Sequence, residues 1–149
     1  MSAPITIPHE ACVLVCDGRK ALFLENRGDA VSPDLHLGQV LELEENPPTR
    51  DQGSDRPGRV TSGSHRSAVE QEDFHRAAAE AFVLKVGRQL EEHHRARPSR
   101  RIILVAPPRT LAILRDEMSA ELRASLTAEI AKDLTKLPAA EIAQHLTGG

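Results

Sequence analysis

The side chains best suited to bind a charged ligand lie in one polar stretch, residues 51–66, with the sequence DQGSDRPGRVTSGSHR. The guanidinium groups of Arg56, Arg59 and Arg66 can form paired hydrogen bonds with the oxygen atoms of a phosphate group. Gly58 has no side chain and therefore lets the backbone approach a ligand closely. We interpret this stretch as a phosphate-binding site that becomes ordered when its partner is bound.

The surrounding segment, residues 46–68, is expected to form a flexible polar loop. Its only larger apolar side chain, prolines aside, is Val60, so the segment can bury almost nothing. His65 adds an imidazole to the candidate binding residues, but no Gly-x-Ser-x-Gly pattern accompanies it, so a catalytic serine is not indicated. Two alternatives stay open: a disordered surface loop without function, and a loop fixed to the domain by local ion pairs such as that of Asp55 with Arg56.

A second candidate site is the pair of carboxylates Asp17 and Asp133, which are both expected near strand ends. Two carboxylates at the edge of an open α/β sheet can hold a divalent metal ion for hydrolysis. The alternative is that Asp17 shapes a hairpin turn by bonding its own backbone, while Asp133 caps a turn or pairs with a basic neighbour. The sequence alone does not bring the two residues together.

The composition limits the kinds of partner that the chain can bind. A formal net charge of -3 and a pI near 6.2 mean that any basic surface is local. Trp and Tyr are absent and the few Phe residues lie in apolar patterns, so we do not expect RNA binding by base stacking. No Gly-x-Gly-x-x-Gly or Walker pattern occurs, and the sequence indicates no nucleotide cofactor and no metal.

The length of 149 residues indicates one domain, which we place over residues 1–149. On a strand, Cys12 and Cys16 would point to the same face about 13 Å apart, too far for a disulfide, so both are interpreted as small buried hydrophobes. No secretion signal and no apolar run of membrane-spanning length is found. We therefore expect a cytoplasmic protein without a membrane partner; its oligomeric state is left open.

The first third of the chain is predicted to form a three-stranded meander. Residues 11–16 are continuously apolar, as is typical of a strand buried on both faces, and residues 20–25 follow after a short turn. A third strand is predicted over residues 35–43, with a bulge or bend at Gly38. These strands would form one side of a mixed sheet.

A long amphipathic helix is predicted over residues 69–94, because apolar side chains recur every four residues. We expect Phe74 and Phe82 on this stripe to lie in the core. Near the end of the helix, His93 and His94 are adjacent and so project in different directions, which favours a solvated helix end over a metal-ligand pair.

The remaining elements alternate between strand and helix. Residues 102–106 form the clearest buried strand, and Thr110 is a candidate cap for the next helix. The pattern of residues 126–135 fits a strand and a helix equally well. Pro138 opens a last amphipathic helix. The sum is an α/β domain with helices packed on a mixed sheet.

Four short motifs, in this order along the chain, resemble the bacterial family of host attachment proteins, described as required for attachment to host cells. They are DGRKA at residues 17–21, GSDRPGR at 53–59, VAPP at 105–108 and KDLT at 132–135. The resemblance covers nearly the whole chain. It marks Asp17, Asp55, Pro107, Pro108 and Asp133 as family-motif residues.

This family is similar, remotely, to the middle domain of archaeal and eukaryotic peptide-chain release factors, which implies an RNase H-like architecture with a five-stranded mixed sheet. The resemblance also implies a strand over residues 126–133. In those release factors a glycine-rich loop before a long helix carries a Gly-Gly-Gln tripeptide. The corresponding loop here, residues 53–66, has no Gly-Gly-Gln. Peptidyl-tRNA hydrolysis is therefore not carried over.

The resemblance and the basic loop together predict a non-enzymatic binding domain that acts on the translation machinery, at a ribosome or tRNA site. One alternative is a protein-interaction or adhesion factor for attachment to host cells. A second alternative is a metal-dependent phosphoester hydrolase that uses Asp17 and Asp133.

Overall fold

The structure, a computed structural model, describes residues 4–43 and 68–148. Its elements in chain order are β1 (Cys12–Cys16), β2 (Lys20–Asn26), β3 (Leu35–Glu42), α1 (Ala68–Ala96), β4 (Ile102–Ala106), α2 (Pro108–Glu117), α3 (Ala120–Ser125), β5 (Leu126–Ala131) and α4 (Ala139–Thr147). The strands form one sheet in the order β3-β2-β1-β4-β5. The predicted mixed five-stranded α/β sheet is confirmed.

The parallel strands fix which residues meet at each end of the sheet. Strands β1, β4 and β5 run parallel, whereas β2 and β3 are antiparallel to their neighbours. The carboxyl ends of the three parallel strands therefore lie along one edge, which we call the C-terminal edge. In open α/β sheets this edge is the usual place for a ligand.

Both faces of the sheet are covered, because β1 and β4 are apolar at every position and fully buried. One face packs against helices α1, α2 and α3 in a core that includes Leu90, Leu104 and Leu122. The other face packs against α4 and the amino-terminal segment in a core that includes Ile7 and Ile142. The sheet is thus the middle of three layers.

The predicted meander is confirmed in its details. Strands β1 and β2 pair from Cys12 opposite Glu25 to Cys16 opposite Ala21. Between β2 and β3 the register shifts at Gly38, which is the extra residue of a bulge. Strand β5 is also confirmed, as the family resemblance implied, and helix α4 begins directly after Pro138.

Helix α1 extends beyond the sheet, and this explains one wrong prediction. Phe82 is buried, but Phe74 is 56% exposed and does not lie in the core. The first ten residues of the helix, 68–77, are all exposed. They project about 15 Å along the helix axis, at about 1.5 Å per residue, past the part of α1 that contacts the sheet.

Thr110 is not the cap of helix α2, contrary to prediction. The helix begins at Pro108, with Pro107 in the cap position, and Thr110 lies inside its first turn. Proline suits the first helical position because its φ is already helical and the N–H that it lacks would have no partner there. The two family-motif prolines therefore set the start of α2.

The carboxyl end of α1 is also packed more closely than expected. The ring of His93 stacks on Phe23 with a centroid distance of 4.5 Å, and its Nε2 lies 2.7 Å from the Gln39 amide oxygen. Burial, with a contribution from the Arg100 charge, lowers the pKa of His93 below its ordinary value. The prediction of a solvated helix end is wrong for this histidine.

Candidate functional site

The hairpin turn between β1 and β2 lies at the C-terminal edge and is shaped by Asp17. One carboxylate oxygen of Asp17 accepts hydrogen bonds of 2.8 Å from the backbone N–H groups of both Arg19 and Lys20. Gly18 lets this turn contact helix α1, since a Cβ at Gly18 would lie only 3.0 Å from the Cβ of Ala79. Asp17 thus shapes the turn by bonding its own backbone, as the structural alternative predicted, and the turn also contacts the helix.

A cavity of about 380 Å³ opens between this turn, the first half of α1 and the start of α2. We call it the edge cavity; it is lined by Gly18, Arg19, His75, Arg76, Ala79, Glu80, Val83, Arg109, Thr110 and Ile113. Among these residues are three arginines and one histidine but only one carboxylate. The lining is therefore basic, although the whole chain has a net negative charge.

The ion pairs of Arg76 and Arg109 with their acidic neighbours are weak. Arg109 lies 3.5 Å from Glu80, and Arg76 lies 3.7 Å from Asp73. All four side chains are about half exposed or more, and ion pairs of this kind contribute about 0–1 kcal/mol in water. A phosphate group that enters the cavity could therefore recruit both guanidinium groups at little cost in broken ion pairs.

Helix α2 contributes two polar features to the edge cavity. The first backbone N–H groups of a helix have no partner within the helix and carry part of the positive end of its dipole. Thr110, in this first turn, is only 7% exposed and lines the cavity. Its hydroxyl is a group that can donate a hydrogen bond to a bound ligand.

The structure does bring Asp17 and Asp133 together, through a single hydroxyl group. The Oγ1 atom of Thr135 lies 3.2 Å from Asp17 Oδ2 and 2.8 Å from Asp133 Oδ1, and Thr135 is only 3% exposed. Its backbone N–H also donates to Asp133, at 3.1 Å. Asp133 therefore bonds the backbone and side chain of Thr135, and the Thr135 hydroxyl links this segment to the β1–β2 hairpin.

Other acidic or metal-binding groups are sparse around this pair. Within residues 4–43 and 68–148, no group of three or more His, Cys, Asp and Glu side chains is placed to hold a metal ion. The nearest candidate nucleophile, Cys16, is buried. Burial, together with the charges of Asp17 and Asp133, raises the pKa of the Cys16 thiol to about 12. Asp17, Thr135 and Asp133 thus join the β1–β2 turn to the segment after β5.

The loop residues chosen from the sequence lie outside the described residues: Arg56, Gly58, Arg59, His65, Arg66 and the motif residue Asp55. Both ends of the segment that contains them are described. At one end, the backbone N–H of Leu43 donates to the carbonyl oxygen of Arg19 at 2.7 Å. At the other end, α1 begins at Ala68, seven residues before His75. The segment therefore leaves the described structure beside the edge cavity and returns within two helical turns of it.

The cavity arginines were missed by the sequence analysis as a group. Arg19, Arg76 and Arg109 come from three separate elements, and no local spacing connects residues that lie so far apart in the chain. One signal was available for α1: Arg76, Ala79, Glu80 and Val83 follow the spacing of a single helix face, which places charged side chains beside apolar ones. Arg109 follows the two prolines that start α2.

No helix within the described ranges is both long and apolar enough to cross a membrane. A comparison with curated proteins finds no match. A family model described as "Protein required for attachment to host cells" matches residues 12–146, which include every strand and helix given above except the end of α4. The chain therefore belongs to the family of proteins required for attachment to host cells, as the four sequence motifs indicated.

Proposed function

We propose that this protein is a cytoplasmic, non-enzymatic RNA-binding factor of the translation machinery, which contacts the phosphates of ribosomal RNA or tRNA. One observation carries the proposal: the Arg-rich segment leaves and re-enters the described structure at the margin of a basic cavity. The guanidinium groups of Arg56, Arg59 and Arg66 would extend the basic lining contributed by Arg19 and Arg109. In this proposal, the loop arginines and the cavity lining contact phosphates of the same RNA.

The type of contact follows from the side chains available. Arginine binds phosphate by charge and paired hydrogen bonds, and such contacts position a nucleic acid without selecting its sequence. The edge cavity has no aromatic ring among its lining residues other than the imidazole of His75. We therefore expect base stacking to contribute little to binding. The affinity should decrease as the salt concentration rises, because the release of counterions from the RNA is then less favourable.

The similarity to release factors gives the proposal its translational context. The loop of residues 53–66 precedes a long helix, as the catalytic loop does in those factors, but it lacks their Gly-Gly-Gln. A domain of this kind would occupy a ribosomal or tRNA-like site without releasing the peptide. The family's role in attachment would then follow indirectly, through the synthesis of other proteins.

The test is co-sedimentation with ribosomes at low and at moderate salt. We expect the wild type to bind, and the double variant Arg56→Ala, Arg59→Ala to lose about tenfold or more in affinity, since each arginine contributes a charged hydrogen bond. The matched control is Arg88→Ala, Arg101→Ala, which removes the same charge from two exposed positions outside the edge cavity. The proposal fails if the wild type does not co-sediment at low salt, or if both double variants lose affinity equally.

The family description favours a second candidate, a direct role in adhesion through a protein partner. It requires the protein to reach the cell surface. Fractionation of native cells separates the two: recovery in the outer-surface fraction would favour adhesion, and recovery with ribosomes would favour the RNA-binding role.

A further inference from the structure

We propose that the edge cavity binds one nucleotide as a unit, with the phosphate against Arg76 and Arg109 and with the ribose and base against the apolar wall. The inference depends on the proposed RNA binding only where it names RNA as one source of that nucleotide. The chemistry is shared by a free nucleoside monophosphate and by the phosphorylated end of an RNA strand.

The size of the cavity favours a nucleotide over a simple anion. Its volume of about 380 Å³ lies within the range of about 300–1,000 Å³ that is typical of small-molecule sites. It equals the share of liquid volume of about a dozen water molecules, at about 30 Å³ each. A phosphate ion alone would leave most of this space to water, whereas the added ribose and base would occupy it.

The lining also has an apolar part. Ala79 and Val83 come from successive turns of α1, and Ile113 comes from α2. Aliphatic side chains of this kind contact the face of a base or ribose by dispersion, and they gain free energy when water leaves. The wall can therefore hold a nucleoside without an aromatic ring.

The charges of the lining also distinguish a nucleotide from phosphate. The three arginines attract the phosphate of either ligand, and the carboxylate of Glu80 can in addition accept a hydrogen bond from a neutral donor. A nucleotide suits both signs, because its hydroxyl or amino hydrogens can donate to Glu80 while its phosphate accepts from Arg109. Those two protein groups already lie 3.5 Å apart.

Thr110 adds a hydroxyl group to the charged part of the lining. Its side chain is 7% exposed and lies in the first turn of α2. A phosphate oxygen near this turn would accept a hydrogen bond from the hydroxyl and would also be stabilised by the N–H groups of that turn.

The experiment is a calorimetric titration of the full-length protein with adenosine 5′-monophosphate, adenosine and inorganic phosphate. We expect the monophosphate to bind about tenfold or more tightly than either fragment, since only it fills both parts of the cavity. Arg109→Ala should weaken the monophosphate about tenfold, and Thr110→Val, which keeps the volume, about threefold to tenfold. Arg88→Ala is the matched control on an exposed part of α1 and should bind as the wild type does.

Three results would overturn the inference: no binding of the monophosphate, binding no tighter than that of inorganic phosphate, or an equal effect of Arg88→Ala. Arg109 is exposed, so its removal should leave the fold intact, and a thermal melt of each variant checks this. A short RNA with and without a 5′-phosphate identifies the source. Tighter binding of the phosphorylated RNA than of the free nucleotide assigns the site to an RNA end, and the opposite order assigns it to the free nucleotide.

The outcome is separable from that of the ribosome experiment. If ribosomes bind but the monophosphate does not, the nucleotide site is wrong and the proposed RNA binding stands. If the monophosphate binds but ribosomes do not, the translational role is wrong and the cavity is a site for free nucleotides.

Discussion

Polar side chains have different partners at the two ends of the central sheet. At the end where β1 and β4 begin, Asn26 is fully buried, and its side-chain amide donates to the carbonyl oxygens of Ile7 and Pro8 and accepts from the N–H groups of Gly28 and Asp34. At the C-terminal edge, three arginines line an open cavity with a single carboxylate among them. At the first end, which we call the N-terminal end of the sheet, the Asn26 amide is bonded to backbone groups, whereas Arg76 and Arg109 at the C-terminal edge form only long, exposed ion pairs.

The arginines repeat the contrast. At the N-terminal end of the sheet, Arg97 lies 2.9 Å from Glu10 and 3.0 Å from Glu25, which is also 3.7 Å from Arg100. Burial alone would raise the pKa of Glu25, but the hydrogen bond from Arg97 and the charges of Arg100 and Arg97 outweigh it and lower the pKa. Arg97 thus forms short ion pairs, whereas Arg76 and Arg109 at the C-terminal edge form longer ones, at 3.7 Å and 3.5 Å.

The largest expected effect on stability lies at the N-terminal end of the sheet. Replacing Asn26 with Ala removes the partners of several buried backbone groups at once, and each such group contributes about 1–3 kcal/mol when left unsatisfied. We expect the free energy of unfolding to fall by about 3 kcal/mol or more in urea denaturation. Nucleotide binding per folded molecule should not change.

The control for this variant is Gln71→Ala, which removes the same amide from the exposed start of α1 and should change stability by less than about 0.5 kcal/mol. Equal stability of the two variants would contradict the assignment of Asn26 as the polar centre of this end. A loss of nucleotide binding in folded Asn26→Ala would show that the two ends are coupled.

A smaller effect on stability is expected at Thr135, which links the β1–β2 turn to the segment after β5 at the C-terminal edge. Thr135→Val keeps the shape of the side chain but removes the hydroxyl that lies between Asp17 and Asp133. We expect a loss of about 1–2 kcal/mol, because two close carboxylates lose their shared donor. Thr135→Ser keeps the hydroxyl and should retain most of the stability; if both variants lose stability equally, packing rather than the hydrogen bond is responsible.

The comparison also explains how much could be predicted from the sequence. Strands β1 to β4 and the bulge at Gly38 depend on neighbouring residues, and the local pattern was enough to predict them. The local pattern left β5 and the role of Asp17 open; the family resemblance implied the strand, and the structure shows the turn-shaping alternative for Asp17. Phe74 was misplaced because a helical stripe gives the period of apolar residues but not the point at which a helix passes the edge of its sheet. Such a point is set by the tertiary packing of the whole domain.

The edge cavity was missed for a related reason. Its basic character comes from three elements whose arginines are brought together only by the parallel order of β1 and β4 and by the start of α2. His93 shows the same limit at the other end, because its stacking partner Phe23 and its hydrogen-bond partner Gln39 both belong to distant strands.

The smallest expected effect is a pH dependence at His93. Because its pKa is lowered in the folded state, the unfolded chain binds the proton more tightly. The stability due to the neutral ring is therefore complete above the ordinary histidine pKa of about 6.5 and is lost as the pH falls through that value towards the lower pKa of the folded state. Urea denaturation at a series of pH values between 7 and 5 should show this decline.

The variant His93→Gln removes the titrating group but can keep a hydrogen bond to Gln39, which now lies 2.7 Å from the histidine ring. It should be less stable than the wild type at pH 7, because the stacking on Phe23 is lost, but its stability should fall less steeply with acid. The matched control is His75→Gln in the exposed part of α1, which should keep the slope of the wild type. If His93→Gln also keeps that slope, the acid sensitivity comes from other groups. The stability of the N-terminal end of the sheet then does not depend on a neutral His93.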